Sequence, residues 1–138
     1  MRSLYDDIVE TLTNTNFTIP NVSVRESYNE AFKTYPLLVV HEITNRPISH
    51  GTVSGEDRTI LAYQVDIIVK DCMDAGFYPT VIGRSEAARI MTAEVSDALD
   101  ALKVTRRTIT PGASAPDTVT TIWRGEGVLD SYGYSYRR

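Results

Sequence analysis

The chain has one cysteine, Cys72, and two histidines, His41 and His50, among its 138 residues. A single cysteine forms no internal disulfide, so the fold must stand on its core. So few thiols and imidazoles leave no Cys/His set for structural zinc. Long hydrophobic runs are missing too, since none approaches the roughly 18 residues that read as a bilayer span. The opening residues Met1-Arg2-Ser3-Leu4-Tyr5-Asp6-Asp7 carry early acids and no apolar segment, which argues against a signal peptide. Asn16-Phe17-Thr18 and Asn21-Val22-Ser23 match the glycosylation sequon, and without a secretory signal they read as chance matches. Basic excess is absent as well. A net charge of −4 lacks the electrostatics of a nucleic-acid coat. The paired basic residues, Arg106-Arg107 and Arg137-Arg138, read as a solvated strand face and a chain end.

What remains is an ordinary globular composition, 42% apolar and 23% charged. The length suits one domain with a real core. We read residues 1–130 as a single α+β domain and residues 131–138 as a Tyr-rich tail. The expected architecture is a mixed β-sheet with a long amphipathic helix packed on one face, plus a short N-terminal helix.

Hydrophobic period carries that reading. Leu4, Ile8, Val9 and Leu12 recur at helical spacing, with Asp6 and Asp7 at the positive end of the helix dipole and Ser3 as a cap. The cluster Asn14-Thr15-Asn16 ends this helix, and Pro20-Asn21 marks a turn. Val22 to Arg25 alternates like a short strand. Residues 35–43 form the most apolar run, rich in β-branched residues, and read as a strand buried on both faces. Residues 45–58 are polar and contain Pro47, Gly51 and Gly55, so they read as a loop or long hairpin tip of about fourteen residues. In the next strand Tyr63, Val65, Ile67 and Val69 share one face, while Gln64, Asp66, Ile68 and Lys70 share the other. Residues 71–83 read as a connector. A helix is predicted over residues 85–103, with Ala87, Ala88, Met91, Val95, Ala98, Leu99 and Leu102 as its apolar stripe. Strands are predicted over residues 103–110, anchored by Val104 and Ile109, and over residues 118–130. In the latter, Gly125 and Gly127 mark a bulge or a close backbone approach.

No constellation for catalysis emerges. His41 and Glu42 are adjacent on a strand and point to opposite faces, so His41 reads as a packed or edge histidine. Cys72 has no histidine at nucleophile spacing and reads as packing. Asp66, Asp71 and Asp74 lie close in sequence without an ordered metal-binding loop. Asp97 and Asp100 fit a solvated helix face. The segment His50-Gly51-Thr52-Val53-Ser54-Gly55 lacks the Gly-Lys-Ser/Thr end of a phosphate loop. We therefore expect no enzyme activity, no metal and no cofactor. The residual oddity is the tail, where Tyr132, Tyr134 and Tyr136 alternate with small residues. It reads either as a final edge strand with aromatic cross-strand pairs or as a segment packed between subunits.

The succession of elements resembles the tail-terminator and minor tail (neck) proteins of long-tailed bacteriophages. The resemblance is carried by the N-terminal helix, Pro36-Leu37-Leu38-Val39-Val40 and the long loop. It continues through Tyr63-Gln64-Val65-Asp66-Ile67-Ile68-Val69, Ala87-Ala88-Arg89-Ile90-Met91, Val95-Ser96-Asp97-Ala98-Leu99 and the closing β sequence. It covers most of residues 1–130 as a pattern of elements and contains no invariant motif. It implies a structural virion protein, assembled in the host cytoplasm, that forms a ring, commonly a hexamer. Such a ring caps the tail tube, joins it to head–tail connector or stopper proteins, and meets DNA only as DNA passes through its lumen. No membrane is involved. Two segments are our own candidates for contacts. Arg46, His50, Glu56, Asp57 and Arg58 would face the tube or neck, while Tyr132, Tyr134, Tyr136 and Arg137 would lie between subunits. The nearest alternative is another neck component, such as a connector, stopper or tail-completion protein. Further readings are a small metal-dependent hydrolase or nuclease, and a host-regulatory or nucleic-acid-binding module.

Overall fold

A computed structural model describes residues 4–26, 34–48, 58–100, 106–112, 115–130 and 133–134. The chain begins with α1 (Leu4–Asn14) and continues through β1 (Ser23–Arg25), β2 (Leu37–Ile48) and β3 (Arg58–Lys70). A small hairpin follows, β4 (Met73–Asp74) and β5 (Val81–Ile82), and leads directly into α2 (Arg84–Asp100). The chain closes with β6 (Arg106–Pro111), β7 (Thr118–Asp130) and β8 (Gly133–Tyr134). The main sheet has the order β1-β2-β3-β7-β6, and β8 also pairs with β7. Among the described residues β1 and β2 run parallel and the other pairs of the sheet are antiparallel. The result is an α+β fold with a mixed sheet, one long helix and one short N-terminal helix.

Period decides which face is covered. Tyr63, Val65, Ile67 and Val69 are all buried, and so are Leu38 and Val40 on β2 and Trp123 on β7. α2 lies over β3 and β7, and α1 over β1 and β2. α2 presents Ala87, Ala88, Met91, Val95 and Leu99 to this core, and its alanines allow close approach to the sheet. α1 adds Ile8 and Leu12, and its Tyr5 ring packs on Tyr63 with centroids 6.0 Å apart. A second tie joins the segment after α1 to α2. Glu94 of α2 accepts from the Thr18 amide (3.0 Å) and from the Thr18 hydroxyl (2.6 Å). The segment after α1 is thereby tied to the long helix.

Several expectations need correction. The segment over residues 45–58 is not wholly a loop. β2 and β3 run into it as the paired arms of a hairpin, the other form expected, with Asn45 opposite Leu61 and Ile48 opposite Arg58, and residues 49–57 lie outside the described residues. β-ladder pairing satisfies these backbone groups despite the polar side chains, which a composition argument discounts. The connector over residues 71–83 contains the β4–β5 hairpin. Gly76 turns it at φ 74°, and a Cβ there would meet the Thr18 carbonyl oxygen at 2.4 Å. Glycine alone suits both the conformation and the contact. Of the two readings of Gly125, a bulge or a close approach, the close approach holds, and the register shift lies in β2 between Glu42 and Thr44. Gly125 makes room for the Trp123 ring, since a Cβ would sit 2.4 Å from that ring. Finally, Ile109 is not a buried anchor of β6: it is 46% exposed and faces α2 across an open groove.

Candidate functional site

The ladder register lays the sheet out in rows. On the helix-covered face one row reads Val40, Val65, Trp123, Ile109 across β2, β3, β7 and β6. On the opposite face the neighbouring row reads His41, Gln64, Arg124, Thr108. This second row is polar and continuous. Asp66, diagonal to His41, lies 3.0 Å from its Nε2 through Oδ2. The Gln64 amide nitrogen donates to Asp66 Oδ1 at 2.7 Å, and Arg124 donates to Gln64 Oε1 at 2.7 Å. Gln64 thus links an acid–imidazole pair to a guanidinium across three strands. Diagonal reach between alternate strand positions is normal for long side chains. Alternation along one strand cannot reveal it, because the pairing register comes from the tertiary fold.

His41 is engaged by Asp66 rather than by Cys72, and Cys72 is exposed after β3 at φ 54°. Asp71 accepts from the Arg84 amide at 3.3 Å and Asp74 from the Gly76 amide at 2.9 Å. These two carboxylates cap a helix start and a turn. Among the described residues no cluster of three His, Cys, Asp or Glu side chains could hold a metal ion.

The distinctive surfaces lie at the margins. Between α2 and β6 runs a groove of about 560 Å³, with Ala88, Thr92, Ala93 and Ser96 along one wall and Ile109 and Thr121 along the other. Arg89 stands at its rim, paired with Glu86 of the preceding turn. That pairing raises the Arg89 pKa further above its ordinary value. The second surface is the β4–β5 hairpin, where Phe77 is 39%, Tyr78 93% and Val81 59% exposed. Its turn leans on residues 18–20, the segment that leads into β1. Sequence reading missed both surfaces. An aromatic pair between Gly76 and Pro79 was the available signal for the second.

The residues singled out from sequence are not brought together into one described site. Arg46 pairs with Ile60 and Arg58 with Ile48 along the β2–β3 ladder. Tyr134 pairs with Leu129, so β8 extends its own chain's sheet. His50, Glu56, Asp57, Tyr132, Tyr136 and Arg137 lie outside the described residues, as do Ser3, Val104 and Leu102. Among the described residues no helix is long and apolar enough to cross a membrane. In comparisons with known proteins, no family model and no curated protein matches the chain.

Proposed function

We propose that this chain is a structural virion protein, a bacteriophage tail terminator that closes into a homo-oligomeric ring on the end of the tail tube. The ring joins the tube to connector or stopper proteins of the neck and works without a cofactor or catalytic residue. The observation that best supports this reading is the pair of unlike sheet margins. β1, three residues long and parallel to its neighbour, ends the sheet on one side, and β6, antiparallel and flanked by an open groove, ends it on the other. A ring needs heterologous contacts, in which one surface of a subunit meets a different surface of the next. Two dissimilar margins on one sheet provide such a pair. The α1–β-hairpin–α2–β-hairpin order supports the same reading through its resemblance to neck proteins.

Negative-stain electron microscopy of the purified chain at low and high concentration tests the proposal. Closed rings with a central opening, alone or on the ends of tail tubes, are the expected result. A monomer at every concentration that also fails to bind tube ends overturns it.

A further inference from the structure

We infer that the β4–β5 hairpin of one copy docks in the α2–β6 groove of the next, with Tyr78 as the inserted side chain. This deepens the ring reading and rests on it. The hairpin is a knob on its own chain: Tyr78 is 93% exposed, so it does not fill the groove of the same molecule. The hairpin leans toward β1 through its contact with residues 18–20, whereas the groove opens beside β6, the other end of the sheet. A contact between the two surfaces therefore joins copies head to tail, the arrangement that closes into rings.

Chemistry matches on both sides. Ala75-Gly76-Phe77-Tyr78-Pro79-Thr80-Val81-Ile82 carries no charge. The groove walls, Ala88, Thr92, Ala93 and Ser96 on one side and Ile109 and Thr121 on the other, are uncharged as well, and the small side chains of α2 leave room for a ring. At the rims, Asp74 stands at the base of the hairpin and Arg89 beside the groove, with opposite sign. Arg89 is paired with Glu86 in the free chain, and such exposed pairs exchange partners at little cost. Asp97 closes the far end of the groove, where a phenol hydroxyl can donate to it. Tyrosine suits this position because its ring is buried while its hydroxyl keeps a polar partner. Burying Tyr78, Val81 and part of Phe77 against these walls covers on the order of 700 Å² in total, taking 150–250 Å² per aromatic. That is about half of a stable interface.

A photo-crosslinking phenylalanine analogue placed at position 78 of the full chain tests the contact directly. The expected product is an intermolecular crosslink to residues of α2 or β6, located by mass spectrometry. It should be lost when Ala93→Trp fills the groove. Tyr78→Glu should raise the concentration for half-assembly by about thirtyfold or more, the loss expected of an aromatic anchor. The melting temperature should be unchanged, because both substituted positions are exposed. Rings that form without the crosslink, or that survive Tyr78→Glu unchanged, overturn the contact and leave the ring reading intact. The crosslink in open pairs that never close upholds the contact and removes the ring reading. A chain that yields no intermolecular crosslink at any concentration overturns the contact outright.

Discussion

Val65 and Ile109 occupy the same row of the same sheet face, yet one is fully buried and the other 46% exposed. The residues between and beside them, Trp123 and Val40, are fully buried too. Side-chain chemistry does not separate these positions, since all four are apolar and β-compatible. Helix placement does. Among the described residues, α1 and α2 pack mainly on β1, β2, β3 and β7, and Ile109 of β6 is left half open. A strand's hydrophobic face is thus core in one half of the molecule and surface in the other. The exposed half is where a partner gains most by docking.

The sharpest break in this comparison comes from deleting volume on the covered side. Leu99→Ala or Met91→Ala should cost about 2–5 kcal/mol, the usual range for emptied core sites, and lower the urea midpoint accordingly. Ile109→Ala, by contrast, should stay within about 0.5 kcal/mol as a surface change. Equal losses at both positions would mean that β6 is covered in the free chain. Gly125→Ala addresses the join between the halves. Its Cβ would press on the buried Trp123 ring, and about 1–3 kcal/mol of overpacking should appear as a lower melting temperature. A smaller effect follows from Glu94→Ala, which removes the acceptor of both Thr18 donors. The pair is exposed, so about 1 kcal/mol is expected, with faster hydrogen exchange in α1 than in α2. The smallest effect is a matter of pH. Burial, and then Glu26, Asp6 and Glu42, raise the Tyr5 pKa above its ordinary value of 10.0. The unfolded chain therefore ionises first. Tyr5 contributes stability that is intact below pH 10 and lost as pH rises through the folded value. Tyr5→Phe should flatten the alkaline limb of a stability–pH profile and leave neutral pH almost unaffected.

Trp123 illustrates how local and global demands meet. Its indole nitrogen is the buried side-chain polar atom that lacks a partner among the described residues. Leaving such a donor unmade costs about 1–3 kcal/mol. The ring is retained in a site that Gly125 opens for it, where its area packs against β3 and α2. The sequence marks this place through its two glycines as a bulge or a close approach, because a bulge and a ring lying over a glycine leave the same trace in one strand.

The amino-acid sequence alone determined the α+β class, both helices, the alternation of β3 and the extent of β7. Each depends on a period of 3.6 or 2 within one segment, which neighbouring residues enforce. Tertiary structure decided the rest. The β2–β3 ladder carries through polar residues because backbone pairing there is indifferent to side-chain polarity. The row His41-Gln64-Arg124 arises from register between strands far apart in the chain. The exposure of Ile109 depends on where a helix from another segment ends its coverage. Such features are relations between segments, and no period within one segment encodes them.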